Sequence, residues 1–145
     1  MKILIAIDDS KYSEAAINGV ADYFKPRAAE VKILHVLTPI VLSALPQMSR
    51  GYAPELEQQA KEARVLVEKY AQKLRADGYK VDAVVESGEV RESIIDTAAR
   101  WHADLILLGS HGHKGMGRLL LGSVAESVVR HANCSVLVVR LPVSQ

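Results

Sequence analysis

The chain has 145 residues, of which 49% are hydrophobic, and its formal net charge is +1. A chain of this length buries enough surface to fold without disulfides or metals, and we expect residues 1–145 to form a single domain. The near-zero charge, without a basic cluster, argues against nucleic-acid binding, and the first apolar run is too short for a membrane span or signal peptide. One cysteine, Cys134, suits a reducing compartment, so we expect a cytoplasmic protein.

The first predicted strand, Lys2–Ile7, is continuously apolar after Lys2 and ends at two carboxylates. Ser10 has the residue type favoured at a helix N-cap, and Asp9 is an alternative capping residue. Asp8 either caps the same helix or accepts hydrogen bonds from a ligand, such as the two hydroxyl groups of a ribose. The apolar face of the predicted helix comprises Ala16, Ile17, Val20 and Phe24.

The second predicted strand covers residues 31–37, and a long connection, residues 38–53, follows it without clear period. Long connections are often functional, and we expect this one to be a candidate lid over a ligand. Helical periodicity begins at Pro54 and ends before Asp77 and Gly78. The apolar face of this second helix comprises Leu56, Ala60, Ala63, Val67, Tyr70 and Leu74.

The remaining segments continue the alternation of strands and helices. Strands are predicted at residues 79–86, 103–109 and 135–140, and the first of these alternates polar and apolar residues as an edge strand does. The two helices between them have apolar faces made of Val90, Ile94, Ile95 and Ala98, and of Val124, Ala125, Val128 and Val129. Strict alternation predicts an α/β fold with an open, doubly wound parallel sheet and helices on both faces.

A glycine-rich segment, GSHGHKGMGRLLLGS, joins the fourth strand to the last helix. Gly109 and Gly112 follow the strand, and Gly122 and Ser123 open the helix. A helix start attracts anions through its unpaired N–H groups, and glycine lets a phosphate approach the backbone or supplies unusual backbone angles. Turns and caps explain the same glycines equally well, and Ser123 could cap the helix instead of donating to a phosphate. Two cations of the segment, Lys114 and Arg118, could add charge or simply be solvated.

Other known sites do not match the sequence. The P-loop and dinucleotide-binding glycine patterns are absent, and no third ligand accompanies His111 and His113 at a metal-binding spacing. A phospho-acceptor receiver domain would need an aspartate after the third strand and a lysine after the fifth, where this chain has Glu86 and Arg140. We therefore treat the receiver domain as an improbable alternative.

The pattern Gly109-x2-Gly112-x9-Gly122-Ser123, followed by VAESVVRHANCSVLVVR, resembles the ATP-binding branch of the universal stress protein family. The segments ILIAIDDS and KILHV resemble the first two strands of that family, so the resemblance covers essentially the whole chain. It implies an adenine nucleotide α-hydrolase-like fold with strand order 3-2-1-4-5. This order would place Asp8 beside the glycine-rich segment.

The resemblance also implies an adenine nucleotide (ATP, ADP or AMP) as ligand, with Mg²⁺ on the phosphates and no metal ligands from the protein. Ile7 and Val36 would contact the adenine, and Asp8 the ribose. Gly109, Gly112, Gly122 and Ser123 would contact the phosphates, with backbone contacts from His111 and Val124. Two departures from the family pattern are His113, where arginine is common, and Asn133, where proline is common.

The resemblance implies a nucleotide-binding regulatory protein of the stress response, with a further protein partner that the sequence does not name. It also implies a homodimer through the fifth strand, which begins at Ser135 and ends at Arg140. The sequence shows no positioned general base, so the alternative of an ATPase would require slow or partner-dependent hydrolysis.

Overall fold

Within residues 1–38, 46–112 and 120–141, which the computed structural model describes, five strands alternate with four helices; for residues 46–53 only the backbone is described. The elements are β1 (Lys2–Ile7), α1 (Lys11–Tyr23), β2 (Glu30–Leu37), α2 (Pro46–Ala76), β3 (Lys80–Ser87), α3 (Val90–Trp101), β4 (Leu105–Gly109), α4 (Ser123–His131) and β5 (Ser135–Val139). The predicted strands differ from these bounds by at most two residues at either end.

The five strands form one parallel sheet with the order β3-β2-β1-β4-β5. This confirms the expected fold class, the order 3-2-1-4-5 and the edge position of β3. The chain moves from β1 outward to β2 and β3, then crosses back to β4 on the other side of β1. The carboxyl ends of β1 and β4 therefore lie side by side where the winding reverses, which is where doubly wound sheets bind ligands.

The sheet separates two hydrophobic clusters. Ile3 and Ile5 pack with α1 and α2 on one face, whereas Leu4 packs with α3 and α4 on the other. Because successive side chains of a strand point to opposite faces, a strand covered on both sides must be apolar at every position. This accounts for the continuous apolar runs of β1 and β4. The largest fully buried side chains include Ile17, Ile33, Leu34, Leu74, Ile94, Ile106 and Leu107.

Helix α2 begins earlier than the sequence predicted. It starts at Pro46 and continues through Pro54, so residues 46–53 are helical and the predicted long connection is wrong for that part. Proline weakens a helix interior but does not forbid it, so the helix includes Pro54 although the apolar periodicity begins only there. Residues 39–45 lie outside the described residues, and the candidate lid with them.

Two side chains predicted to be buried are exposed: Leu56 by 40% and Val129 by 48%. The 31-residue helix α2 is about 46 Å long, whereas the eight-residue strand β2 spans only about 26 Å. The helix is longer than the sheet that it covers, and Leu56 lies on its exposed part. In α4, Ala125 and Val128 reach the core, and Val129 lies about 100° further around the helix than Val128.

The start of α1 confirms Ser10 as the N-cap, because its Oγ accepts a hydrogen bond from the Ser13 backbone N–H at 3.4 Å. The alternative that Asp9 caps this helix is wrong. Asp9 lies one residue before the cap, and its side chain is exposed. Asp8 is not the N-cap either: it lies two residues before Ser10, and its carboxylate accepts from the hydroxyls of Ser10 and Ser13.

Tyr79 links the start of β3 to the end of α1, because its hydroxyl donates a hydrogen bond to the carbonyl oxygen of Phe24, with the carbonyl oxygen of Val20 at 3.4 Å. Burial raises the pKa of Tyr79, and Asp77 adds to the increase. Unfolded tyrosine ionises near pH 10, so the stabilisation from neutral Tyr79 is complete below that pH and is lost as the pH rises through the higher folded pKa.

We expect Tyr79→Phe to lower the free energy of unfolding by about 0.5–1.5 kcal/mol at pH 7 and to lose less stability than the wild type at alkaline pH. Urea unfolding at pH 7 and above pH 10 measures both effects. Tyr23→Phe, at a tyrosine that is 64% exposed, is the control and should match the wild type. Equal alkaline losses in wild type and Tyr79→Phe would contradict the prediction.

Candidate functional site

A cavity of about 650 Å³ opens at the carboxyl ends of β1, β2 and β4, against the first turns of α3 and α4. The structure brings all nine residues of the predicted site to its lining. They are Ile7, Asp8, Val36, Gly109, His111, Gly112, Gly122, Ser123 and Val124. These residues are far apart in the chain and meet because β1 lies between β2 and β4 in the sheet.

The cavity also has lining residues that sequence reasoning missed. Ala6 and Leu34 precede Asp8 and Val36 by two positions, so they lie on the same face of their strands. The two-residue period of a strand is a signal that could have identified them. The helices contribute residues that face the cavity only after packing, among them Ser13, Val90, Ile94 and Ala125.

The carboxylate of Asp8 is held by α1. Its Oδ1 accepts hydrogen bonds from Ser10 Oγ at 2.5 Å and from Ser13 Oγ at 2.8 Å. The backbone N–H of Asp8 also donates to Ser13 Oγ at 2.7 Å. The start of the first helix therefore orients the side chain that follows the first strand.

Each of the three motif glycines that the structure describes lies against another part of the protein. A Cβ on Gly109 would be 2.7 Å from Tyr12 Cβ and from Tyr12 O. A Cβ on Gly112 would be 2.8 Å from Asp8 Oδ2, and one on Gly122 would be 3.1 Å from Ser110 O. None of the three has a positive φ. The expectation that they supply unusual backbone angles is wrong, and for Gly109 the close approach is to α1.

We expect Gly109→Ala to destabilise the fold by about 1–3 kcal/mol, because the new methyl group meets helix backbone that cannot move independently. Gly19→Ala is a matched control, since its nearest contact is a Val139 side-chain methyl group at 3.1 Å. Alanine also has a higher helix propensity than glycine, which offsets that contact. Thermal or urea unfolding compares the two variants, and an equal loss of stability in both would contradict this packing role of Gly109.

The N-terminus of α4 faces the cavity through its first residues. Gly122 is the N-cap and no side chain caps the helix, so the alternative that Ser123 caps it is wrong. The Ser123 side chain is exposed at the first helical position. The backbone N–H of Gly122 donates to Ser110 O at 2.7 Å, which ties this helix start to the end of β4. The first N–H groups of a helix have no partners within it and carry partial positive charge.

His111 is 9% exposed, and its ring lies 5.1 Å from the Tyr12 ring at a tilt of 49°. Its Nδ1 is 3.0 Å from Ser110 Oγ, and its Nε2 is buried without a hydrogen-bond partner among the described residues. The structure thus places the imidazole against α1. His113, Lys114 and Arg118 lie outside the described residues.

Asp8 is the one acidic side chain among the described residues that line the cavity, and together with Asp9 and Glu14 it acts on Tyr70 of α2. Burial raises the pKa of Tyr70, and Glu14, Asp9 and Asp8 raise it further. Among the residues that the structure describes, no group of three or more His, Cys, Asp or Glu side chains lies close enough to hold a metal ion.

A larger groove of about 860 Å³ lies between α2 and β3, on the sheet face that packs against α1 and α2. It is lined by Val67 and Val85, with Arg64, Glu68 and Lys69 among its polar residues. None of the nine predicted site residues lines this groove, so the 650 Å³ cavity is the candidate site. In the described part of the chain, no helix is both long and apolar enough to cross a membrane.

The fold and the cavity define a class: a doubly wound α/β protein whose ligand cavity lies between the ends of β1 and β4. The model of the universal stress protein family matches residues 1–140. The chain belongs to the universal stress protein family.

Two members of this family match over nearly their full length. Universal stress protein Sll1388 of Synechocystis sp. is 30% identical over 149 residues, covering 96% of this chain and 97% of the relative. The solved structure of protein MJ0577, from Methanocaldococcus jannaschii, is 32% identical, with a TM-score of 0.84 over 99% of this chain and 97% of that one.

More distant solved structures share the fold and contain adenine nucleotides. One is a universal stress protein in complex with cAMP, at 20% identity and a TM-score of 0.69, covering 96% of both chains. Another, from Arabidopsis thaliana, has AMP bound, at 18% identity and a TM-score of 0.67 over 98% of this chain and 92% of that one. A third, from Archaeoglobus fulgidus, is in complex with dAMP, at 21% identity and a TM-score of 0.67 over 96% and 97%.

Proposed function

We propose that this protein binds an adenine nucleotide in the 650 Å³ cavity and acts as a nucleotide-dependent regulator in the stress response. The observation that carries the proposal is that the same cavity is lined by a carboxylate and by the N-terminus of a helix. The Asp8 carboxylate can accept hydrogen bonds from a ribose, and the polarised N-terminus of α4 attracts phosphates. Family members that contain cAMP, AMP and dAMP support adenine as the base.

The adenine would lie against the apolar part of the cavity, with Ile7 and Val36 as its contacts. Ile7 is 6% exposed and Val36 is 9% exposed, and they are the last residue of β1 and the second-last residue of β2, two strands that pair with each other. Ala6 and Leu34 extend the apolar lining beneath them. The cavity volume lies within the 300–1,000 Å³ that is usual for small-molecule sites, which bury most of a ligand behind a few placed polar groups.

The phosphates would lie at Gly112, Gly122, Ser123 and Val124, where the helix start presents N–H groups. The Ser123 hydroxyl is available for such a contact because it does not cap α4. The Asp8 carboxylate lines the same cavity, so Mg²⁺ would offset the charge of a triphosphate beside it. We therefore propose ATP with Mg²⁺ as the physiological form, with ADP and AMP as weaker ligands.

A homodimer through β5 belongs to the same proposal. This strand is at the outer side of the sheet and pairs with β4 on one side. Its apolar residues Val136, Leu137, Val138 and Val139 are only partly buried. Covering this edge with a second copy would bury them and pair the exposed backbone groups.

We also propose that the protein acts in the cytoplasm.

Calorimetric titration tests the nucleotide proposal. We expect saturable binding of ATP and AMP, no binding of CTP, and tighter ATP binding with Mg²⁺ than with EDTA. Mass spectrometry of nucleotides released from the denatured protein provides a second measurement on the protein as purified. Absence of heat with ATP and AMP, together with absence of a released adenine nucleotide, would overturn the proposal.

A further inference from the structure

Ser13 lies in the first turn of α1, and its hydroxyl bonds twice to the same residue. Its Oγ accepts from the backbone N–H of Asp8 at 2.7 Å and donates to Asp8 Oδ1 at 2.8 Å. Ser13 is 4% exposed and lines the cavity, so water competes little for these bonds. The main chain and the side chain of Asp8 are therefore held by one buried hydroxyl group.

This arrangement restricts the rotation of the Asp8 carboxylate. Rotation about the Asp8 side-chain bonds would break the Ser13 contact to Oδ1, and the Ser10 hydroxyl donates to the same oxygen at 2.5 Å. With Oδ1 held against α1, Oδ2 lies on the Gly112 side, 2.8 Å from the position of a Gly112 Cβ.

A fixed acceptor distinguishes ligands that differ by one donor. A ribose presents hydroxyl groups at C2′ and C3′, whereas a 2′-deoxyribose presents only the second. A site that is preorganised to accept both hydroxyl groups loses one charge-assisted bond with the deoxy ligand. A carboxylate that rotates freely can instead adapt to the single hydroxyl group and discriminates less.

We propose that Ser13 is a positioning residue for Asp8, and that through it the site selects ribonucleotides over 2′-deoxyribonucleotides. The proposal rests on the proposed nucleotide binding and adds the sugar class and the residue that sets it. Ser13 need not touch the ligand, because its effect is transmitted by the orientation of the Asp8 carboxylate.

The test compares the dissociation constants of ATP and dATP by calorimetry in wild type, Ser13→Ala and Thr97→Val. We expect the wild type to bind ATP roughly 10- to 100-fold more tightly than dATP, and Ser13→Ala to bring this ratio down to about 1–3. Thr97→Val is the matched control and should keep the wild-type ratio. Thr97 is also 4% exposed and donates to a carboxylate oxygen, Glu86 Oε2, at 3.0 Å, away from the cavity.

Two further variants separate positioning from general destabilisation. In Asp8→Ala the ATP to dATP ratio should already be low, and adding Ser13→Ala should not lower it further. If Ser13→Ala does not fold, Ser13→Cys keeps a similar volume with a much weaker donor, and the same loss of discrimination is expected.

Each outcome decides between the two proposals. A wild type that binds ATP and dATP equally, or a Ser13 variant that keeps the wild-type ratio, overturns the role of Ser13 and leaves nucleotide binding intact. A wild type that binds neither nucleotide overturns the proposed function, and the role of Ser13 with it. An equal loss of discrimination in Thr97→Val would assign the effect to general destabilisation and also overturn the proposal.

Discussion

Replacing Gly122 with valine is expected to weaken ATP binding by about 100-fold or more, the largest effect that we expect from a single substitution. The Gly122 N–H donates to Ser110 O at 2.7 Å, and a Cβ at this position would lie 3.1 Å from both Ser110 O and His111 Cα. The two γ-methyl groups of valine need more space than this backbone contact allows. The start of α4 must then move away from the end of β4, which takes its N–H groups away from Gly112 and Asp8.

The steric conflict is with the protein itself, because a Cβ on Gly122 is directed toward the neighbouring backbone at Ser110 and His111. Gly122→Ala, whose single methyl group makes only the two 3.1 Å contacts, should therefore produce a smaller loss than Gly122→Val. Calorimetric titration with ATP measures both variants, with thermal unfolding to verify that each is folded. Wild-type affinity in a folded Gly122→Val variant would contradict the prediction.

Removing the carboxylate in Asp8→Ala is expected to weaken ATP binding roughly 10- to 100-fold. Hydrogen bonds to a charged group contribute about 1.5–3 kcal/mol each, and the ribose would lose its acceptor. The substitution also removes the acceptor of the Ser10 and Ser13 hydroxyl groups, so we expect some loss of stability. The affinity is measured by titration at a temperature well below the unfolding transition of the variant.

Asp9→Ala is the matched control for this substitution. Asp9 is the adjacent carboxylate, its side chain is exposed, and it does not line the cavity. We expect its affinity for ATP to stay within about threefold of the wild type, because water and salt screen the interaction between an exposed charge and the ligand. Equal losses in the two variants would show that negative charge in general, and not the Asp8 carboxylate, sets the affinity.

Most of the fold could be predicted because each strand and helix has its own pattern of apolar residues in the local sequence. Continuous apolar runs such as residues 105–108 are required wherever a parallel strand is covered on both faces, and helical spacing appears between them. The polar alternation at β3 correctly identified an edge strand. Where the prediction failed, at Pro54, Leu56 and Val129, the error came from helix length and rotation relative to the sheet, which local periodicity does not encode.

The candidate site could be predicted in part. Glycine after a strand, glycine before a helix and a carboxylate after β1 are each visible in the sequence, and the nine predicted residues line one cavity. The roles of the glycines could not be predicted, because they depend on contacts such as Gly109 with Tyr12. Ser13 gave no signal either, since a serine in the first turn of a helix is ordinary until its distance to Asp8 is known.

The sequence by itself determined the alternation of strands and helices, because burial on two faces demands apolar residues at fixed periods. It also determined which residue types stand at the ends of the strands. Only the tertiary structure decided how Asp8 is held by Ser13 and why Gly112 and Gly122 lack a side chain. These are contacts between segments that are distant in the chain or on different elements. Their distances are set by how helices pack on the sheet, and no local pattern carries that information.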